Sequence, residues 1–243
     1  RGFGAAPDRG SSESCNIDVV CAQGDNWWNE IASVGVYTVE GSWSCSGFMI
    51  NNTAEDQRPL FMTADHCGIT SQNEDSVVIY WNHQNSYCRT PGSADSGGSG
   101  DGHLDHFSSG VTYRTGDTTN DMALVELNTA PDPDWGVIWA GWSRTAMPTI
   151  GAAIHHPECA EKRISIPDSA YSAGPHWKVN WSQGSTSQGS SGSPLFDANH
   201  RAIGQLCCGA AYCWNDEDDY YSKSFIRSWT PLEPWLDPLA TNA

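Results

Sequence analysis

Near the C-terminal end of the chain lies the stretch Ser187-Gln188-Gly189-Ser190-Ser191-Gly192-Ser193-Pro194, and the apolar pair Leu195-Phe196 follows it. Glycines tolerate tight and left-handed turns, so the backbone amides of such a stretch can crowd around one side chain. A serine presented in this way, with N–H groups beside it to hold a developing oxyanion, suits acyl transfer. Ser191 is therefore a candidate nucleophile, and a Ser/Gly-rich surface loop is the alternative explanation.

Two upstream motifs favour the nucleophile over the loop. They are Thr63-Ala64-Asp65-His66-Cys67-Gly68 and Asn120-Asp121-Met122-Ala123-Leu124-Val125. Together they give His66, then Asp121, then Ser191, which is the chain order of the chymotrypsin-type triad. In that template Ser191 attacks the scissile carbonyl, His66 takes up and later donates the proton, and Asp121 orients the imidazole. The amides of Gly189 and Ser191 are then predicted to form the oxyanion hole.

Further segments carry a more specific pattern than the triad alone. The set is Ser14-Cys15-Asn16-Ile17-Asp18-Val19-Val20-Cys21, Thr63 to Gly68, Val78-Ile79-Tyr80-Trp81-Asn82, Ile154-His155-His156-Pro157, Ala160-Glu161-Lys162-Arg163-Ile164-Ser165 and Gly189 to Pro194. With these segments the chain resembles the secreted bacterial lysyl endopeptidases, from about Ser14 to Pro238. The resemblance implies a trypsin-fold serine protease that acts on peptides and proteins. We predict no cofactor and no metal ion.

The remaining pattern of the chain favours β-strands. Short apolar runs, such as Val77 to Trp81 and Ala202 to Leu206, recur at strand spacing and are separated by turn residues. With the resemblance, this predicts an all-β protein of two antiparallel six-stranded β-barrels of the chymotrypsin type, followed by a short C-terminal helix. The expected division is a disulfide-stitched lead-in at 1–29, a first barrel at 30–128, a second barrel at 129–229, and the helix and tail at 230–243. The active site is expected in the cleft between the barrels.

The charge of the chain limits its partners. The formal net charge is −17, from 29 acidic and 12 basic residues among 243. This argues against nucleic acid and anionic membranes as partners and favours cationic peptides. No apolar run approaches the roughly 20 residues that span a bilayer, and no signal peptide is recognisable. We therefore expect a mature, monomeric, secreted protein, made with a signal peptide and a propeptide that lie outside this sequence.

Nine cysteines beside few lysines fit an oxidising compartment. The resemblance implies three bridges, Cys15–Cys213, Cys21–Cys88 and Cys45–Cys67. The odd number leaves at least one cysteine outside any intramolecular bridge. Among the others, we expect Cys159 to pair with Cys207 or Cys208. A bridge between the adjacent Cys207 and Cys208 is the alternative, and it would strain the intervening peptide. A zinc site that combines these cysteines with His155 and His156 is disfavoured, since no CxxC spacing is present.

The substrate pocket that binds the residue before the cut, S1, departs from that of trypsin. Enzymes that cleave after basic residues usually carry an acid six residues before the nucleophile, where this chain has Ser185. The resemblance instead assigns the pocket carboxylate to Asp219, with Asp216, Glu217 and Asp218 as close neighbours. A buried carboxylate would pair with a substrate cation through charge-assisted hydrogen bonds. The alternative is a solvated acidic loop or a weak calcium site.

Other departures bear on specificity and activation. The resemblance places Cys207 in S1, at the position where the family has a histidine after Gly-Gln-Leu, and Tyr171 or Trp177 could replace the tryptophan that stacks on that histidine. The expected reaction is cleavage on the carboxyl side of lysine, with arginine also open. A protease of another preference, such as glutamate, and a catalytically silent binding protein are the alternatives. Because Ser190 replaces the aspartate that pairs with a new N-terminus in trypsins, we expect activity without a free α-amino group.

Overall fold

The computed structural model describes residues 11–145, 149–215 and 217–241, and it consists mainly of short antiparallel strands. The strands are β1 (Ile17–Asp18), β2 (Val34–Val39), β3 (Ser42–Ile50), β4 (Leu60–Thr63), β5 (Val78–Tyr80), β6 (Phe107–Ser109), β7 (Val111–Asp117), β8 (Met122–Leu127), β9 (Ile150–His155), β10 (Arg163–Ala173), β11 (His176–Gln183), β12 (Pro194–Asp197), β13 (Ala202–Gly209) and β14 (Asp219–Ser222). The predicted all-β class is confirmed. Residues 1–10 of the predicted lead-in lie outside the described residues.

The helices are few and short. They are α1 (Trp28–Ser33), α2 (Ala94–Gly97), α3 (Ser224–Arg227) and α4 (Trp229–Leu236), with 3₁₀ turns at Ala22–Gly24, Asp65–Cys67, Glu74–Ser76, Pro133–Trp135 and Pro157–Cys159. The predicted C-terminal helix is α4, which ends at Leu236; the next residue, Asp237, is non-helical, as expected for a residue directly before a proline. No helix among the described residues has the length and apolar composition needed to cross a bilayer.

The strands form two sheets, one from each half of the chain. The first sheet has the order β6-β5-β2-β3-β4-β8-β7, and it curls because 107–117 pairs with β5 through β6 and with β8 through β7. The second has the order β1-β10-β11-β14-β13-β12-β9, and a further pairing of β9 with β10 closes six of its strands into a barrel. The structure thus pairs one closed barrel with one half-barrel.

Several strands are apolar on both faces, which explains why their sequences read as continuous apolar runs. In β3, Phe48 and Ile50 belong to an apolar cluster between the sheets, whereas Met49 lies in the core of the first sheet. In β9, Ile154 lies in the cluster between the sheets and Ala153 in the core of the second. Successive side chains on a strand point to opposite faces, so each strand serves two cores. Burial of the shared cluster holds the two sheets together.

A buried ion network attaches the N-terminal segment to both halves. Asp18, on β1, is fully buried and accepts hydrogen bonds from Arg89 Nη2 at 2.7 Å and Nε at 3.0 Å. Arg163, on β10, lies 2.9 Å from the same carboxylate. Glu161 is 3.7 Å from Arg89 and completes the cluster. Asp18 and Glu161 together balance the charges of the two buried guanidinium groups, so removing Asp18 would leave about half of that charge uncompensated.

The variant Asp18→Asn is expected to destabilise the fold by about 3–5 kcal/mol, because breaking a buried ion pair leaves an unpaired buried charge. The matched control is Glu126→Gln, which removes a partly exposed carboxylate that also binds two arginines, Arg58 and Arg114. That loss should be under about 1 kcal/mol. Thermal unfolding followed by circular dichroism compares the two variants. Equal losses would contradict the assignment of Asp18 as a structural anchor.

Candidate active site

His66 and Asp121 meet at the ends of two paired strands. His66 lies in the 3₁₀ turn that follows β4, and Asp121 lies directly before β8. Because Thr63 on β4 pairs with Ala123 on β8, the two side chains emerge at the same edge of the sheet. The Asp121 carboxylate accepts hydrogen bonds from His66 Nδ1 at 2.7 Å and from the His66 backbone N–H at 2.8 Å. The carboxylate thereby orients the imidazole and leaves Nε2 as the second ring nitrogen for proton transfer.

The surroundings of His66 favour its protonated form. The hydrogen bond to Asp121 raises the pKa of His66 above its ordinary value, and the negative charge of Asp65 acts in the same direction. Partial burial of the ring opposes both effects. The side chain is still 45% exposed, so a ligand in the cleft can reach it. This combination suits a group that must accept a proton and then release it.

The stretch around Ser191 begins with a tight turn, Ser187–Ser190. The Ser190 N–H donates to the Ser187 carbonyl at 3.0 Å, and Gly189, the third residue, has φ +85°. A type II turn requires positive φ at this position, which glycine adopts without strain. The Gln188 carbonyl accepts a hydrogen bond from the Glu158 N–H at 2.6 Å. Since the C=O and N–H of a trans peptide point in opposite directions, the Gly189 N–H points away from Glu158.

The amides of Gly189 and Ser191 are available to a ligand. Within the described part of the chain, neither N–H donates a hydrogen bond to another protein group. The carbonyl groups of the same two residues are both engaged, as acceptors from Ser46 Oγ at 2.9 Å and from the Ser46 N–H at 3.0 Å. The carbonyl groups are therefore anchored while the two donors stay free, which is the arrangement that an oxyanion needs.

Close packing places the Ser191 loop against the strands that carry His66. Gly192, next to Ser191, has φ +79°, and a Cβ there would overlap Thr63 Oγ1 and the Ser46 carbonyl oxygen. Thr63 is three residues before His66 and itself donates to that carbonyl at 2.8 Å. Glycine is required because two backbones approach directly. The predicted nucleophile and the predicted base thus lie on opposite sides of one tight contact between the sheets.

A cavity of about 210 Å³ extends from Ser191 to Asp219. Its lining residues are Thr186, Ser187, Gln188, Ser191, Leu206, Cys208, Gly209, Ala211 and Asp219. Asp219 is only 2% exposed, and burial raises its pKa. A Cβ at Gly209 would overlap Asp219 Oδ1, so the absent side chain makes room for the carboxylate. A buried carboxylate that lines this cavity can bind a cation when it is ionised.

Two residues that sequence analysis missed hold Asp219 in place. Its Oδ2 accepts hydrogen bonds from Thr186 Oγ1 and from Trp181 Nε1, both at 2.6 Å. Trp181 is two residues beyond Val179, the residue paired with Asp219 across β11 and β14. The only sequence signal for Trp181 is the alternation of Trp177, Val179 and Trp181 on one strand face. That alternation could have indicated a shared face but not the carboxylate opposite it.

Ser185 and Cys207, also predicted for this pocket, do not line the cavity. Ser185 is 2% exposed and its hydroxyl donates to the Thr186 carbonyl. Cys207 is bonded to Cys208, and Cys208 lines the cavity. Of the acidic neighbours of Asp219, Asp218 pairs with Lys178 at 2.7 Å, whereas Asp216 lies outside the described residues.

The two aromatic candidates for a stacking partner are also absent from the cavity wall. Trp177 is buried and its Nε1 donates to the Ile203 carbonyl at 3.1 Å. Tyr171 is 53% exposed and lies beside the ammonium group of Lys178. Neither residue lines the cavity next to Asp219.

The cysteine pairing differs from the expectation at one point. The structure contains Cys15–Cys213, Cys21–Cys88 and Cys45–Cys67, the three bridges that the resemblance implies. The expected bond from Cys159 to Cys207 or Cys208 is wrong, because Cys207 and Cys208 bond to each other and Cys159 is free and buried. The register of β13 against β14 shifts between Leu206 and Cys208. This bulge breaks the alternation of side chains and places two adjacent sulfur atoms on the same side.

His155 and His156 have hydrogen-bonding roles. His155 is fully buried between Ser190 and Ser165, at 2.8 and 2.9 Å from their hydroxyls. His156 Nδ1 donates to the Ala160 carbonyl at 2.8 Å. The groups of potential metal ligands among the described residues each include both cysteines of a disulfide, whose sulfurs are not thiolates.

The fold is similar to that of solved proteins at low sequence identity. The active form of the Rv3671c protease from M. tuberculosis has a TM-score of 0.56 at 15% identity, over 96% of this chain and 92% of that one. The HtrA-type protease AlgW with tripeptide has a TM-score of 0.57 at 10% identity, over 87% and 63% of the two chains. Human heparin binding protein has a TM-score of 0.55 at 14% identity, over 83% and 91%. These similarities confirm the predicted chymotrypsin-type fold.

Sequence comparison is more specific. A lysyl endopeptidase of Pseudomonas aeruginosa is 29% identical over 243 residues, which cover 88% of this chain and 50% of the relative. The chain therefore spans about half the length of that relative. The family model described as "Lysyl endopeptidase, C-terminal domain" matches residues 9–222. Since this match takes in most of the sequence, the chain belongs to the lysyl endopeptidase family.

Proposed function

We propose that this protein is a serine endopeptidase that hydrolyses peptide bonds on the carboxyl side of lysine, with arginine as the alternative residue before the cut. The observation that carries the proposal is the paired His66 and Asp121, set against a serine loop whose two free amides lie beside Ser191. Membership of the lysyl endopeptidase family supports it. Peptides and proteins with a basic residue before the cut are the proposed substrates.

The proposed reaction follows the serine-protease template. Ser191 Oγ attacks the scissile carbonyl carbon while His66 Nε2 accepts the hydroxyl proton. The imidazolium is stabilised by the Asp121 carboxylate, which already binds Nδ1. The amides of Gly189 and Ser191 bind the oxyanion, and collapse of the tetrahedral intermediate transfers the proton from His66 to the leaving amine. Water then hydrolyses the acyl-enzyme by the same steps in reverse order.

The donors around Asp219 favour lysine over arginine. Thr186 and Trp181 already donate hydrogen bonds to Oδ2 of Asp219. A substrate cation would therefore bind mainly to the other oxygen, Oδ1. An ammonium group is a compact charge that needs no paired acceptors, whereas a guanidinium group binds carboxylates best through two parallel hydrogen bonds. Both donors to Oδ2 are neutral, so neither compensates the charge of an ionised Asp219, and a substrate cation can do so.

The bulk properties support an extracellular peptidase. The net charge of −17 attracts cationic peptides. Four disulfides fit an oxidising compartment, and we propose secretion with a removable signal peptide and propeptide. We also propose a monomer, since one chain supplies all residues of the site.

A catalytically silent binding protein is the second candidate. It is favoured by one structural neighbour, human heparin binding protein, whose name describes binding. Two observations oppose it here. His66, Asp121 and Ser191 are all present, and the acidic chain would repel polyanions.

Replacement of the nucleophile tests the proposed function. Wild-type protein should hydrolyse lysine chromogenic peptides, and a peptide map of digested protein should show lysine before the cuts. Ser191→Ala should lower kcat by roughly 10⁶-fold, because no covalent intermediate can form. A fluorophosphonate should label Ser191 in the wild type only. An inert, unlabelled wild type would support the binding protein, and cuts after glutamate would support a protease of another preference.

The pKa of His66 should depend chiefly on Asp121. We expect NMR titration of the wild type to give a value above 6.5, and Asp121→Asn to lower it because the hydrogen-bonded charge is lost. Since the base must be neutral, the acid limb of kcat/KM should move to lower pH in this variant while kcat falls about 10⁴-fold. Asp65→Asn is the control and should lower the pKa by less. Equal shifts in both variants would contradict the assigned roles.

Specificity should depend on one carboxylate of the acidic run. Asp219→Asn should reduce kcat/KM for lysine substrates by roughly 100- to 1,000-fold, because a buried charge pair loses one partner. The adjacent Asp218→Asn should have little effect, since that carboxylate pairs with Lys178. Rates on lysine, arginine and leucine peptides compare the variants. If Asp219→Asn slows all three equally, the pocket assignment is wrong.

A further inference from the structure

A buried chain of hydrogen bonds runs behind the loop that carries Ser191. It passes from the Ser187 N–H to Ser190 Oγ at 3.2 Å, and from Ser190 Oγ to His155 Nδ1 at 2.8 Å. It continues from His155 Nε2 to Ser165 Oγ at 2.9 Å and ends at the Ser185 carbonyl, 3.0 Å further. Ser190, His155 and Ser165 are all completely buried. None of them takes part in the hydrolysis proposed above.

The donors and acceptors of this chain determine its direction. A carbonyl oxygen can only accept, so the single hydroxyl proton of Ser165 must point to Ser185. Ser165 Oγ must then accept from His155, which places the ring proton on Nε2. In a neutral ring Nδ1 is then an acceptor, and it takes the hydroxyl proton of Ser190. Ser190 Oγ finally accepts a hydrogen bond from the Ser187 N–H. All bonds in this chain of hydrogen bonds are therefore satisfied when the His155 imidazole is neutral.

The end of the chain closes the turn that presents the oxyanion donors. Two hydrogen bonds join Ser190 to Ser187. The Ser190 N–H donates to the Ser187 carbonyl, and Ser190 Oγ accepts from the Ser187 N–H. Between them lies the Gln188–Gly189 peptide, whose N–H is a proposed oxyanion donor. If Ser190 lost the acceptor for its proton, the hydroxyl would rotate and the second bond would weaken. The orientation of the Gln188–Gly189 peptide would then rest on fewer contacts.

We propose that His155 is a positioning residue which, as a neutral acceptor for the Ser190 hydroxyl, holds the Ser187–Ser190 turn in the conformation that binds the oxyanion. This inference rests on the proposed function, since it concerns the same hydrolytic site. In trypsins the residue before the nucleophile is an aspartate that needs a charged partner. Here the hydrogen bond between Ser190 and His155 replaces that ion pair, so the turn can be ordered without an α-amino group.

The surroundings of His155 keep it neutral. Burial lowers its pKa to about 3, and the positive charge of Arg163 acts in the same direction. Its neighbour His156 is also buried with a lowered pKa. No carboxylate among the described residues binds the His155 ring. A proton on Nδ1 would also displace the Ser190 hydroxyl proton, for which the described residues offer no other hydrogen-bond acceptor.

The variant Ser190→Ala removes the donor with a small change in volume. We expect kcat for lysine peptides to fall about 10- to 100-fold with KM changed less than about 3-fold, since oxyanion binding is realised only in the transition state. Affinity for a peptidyl-lysine boronate should fall by the same factor as kcat. Affinity for n-butylamine, which occupies only the Asp219 pocket, should not change. Ser33→Ala, which removes another buried serine hydroxyl that donates to the Glu30 carbonyl, should leave all values unchanged.

A second pair of variants separates positioning from packing. His155→Asn keeps a polar group near Nδ1 and should retain more kcat than His155→Leu, although both remove the ring. In the wild type, ¹⁵N NMR should show the neutral Nε2–H form of His155 from about pH 5 to 9. Wild-type kcat in Ser190→Ala, or an Nδ1–H or titrating His155, would overturn this inference alone. A wild type that neither hydrolyses peptides nor reacts with a fluorophosphonate at Ser191 would overturn the proposed function and this inference together.

Discussion

The contact between Ser46 and the Ser191 loop is the constraint on which the site depends. Ser46 lies on β3 in the first sheet, and it donates its N–H to the Ser191 carbonyl and its hydroxyl to the Gly189 carbonyl. Its Oγ also accepts the His156 N–H from the second sheet. The proposed base and nucleophile belong to different halves of the chain, so the distance between them depends on the contacts at this interface. A misplacement of about 1 Å can cost on the order of 100-fold in rate.

Two buried aspartates show how one residue type serves structure or recognition. Asp18 is surrounded by Arg89 and Arg163, which compensate its charge and anchor the N-terminal segment. Asp219 is equally buried, but its donors Thr186 and Trp181 are neutral. Burial without a cation raises its pKa. A compensated carboxylate stabilises the fold, whereas an uncompensated one at the end of an open cavity is suited to bind a cationic ligand.

Much of the candidate site could be predicted because its signals are local in the chain. The glycines around Ser191 and the motif at His66 occur within short segments, and chain order alone related them to a known triad. Contacts across strands could not be predicted. Trp181 reaches Asp219 only because β11 pairs with β14, and the Cys207–Cys208 bond depends on a bulge in β13. Neither the pairing of these strands nor their register is encoded in any one segment.

The strand pattern, the family resemblance and the three proposed catalytic residues could be inferred before folding was considered, because each depends on residue types at fixed spacing. The hydrogen-bond partners of the buried groups became apparent only in the folded chain. His155 has two ring nitrogens, and in the proposed chain of hydrogen bonds the hydroxyls of Ser190 and Ser165 place the proton on Nε2. These residues are 35 and 10 positions away. Hydrogen bonds depend on distance and direction in space, and chain spacing specifies neither once strands from separate segments pair.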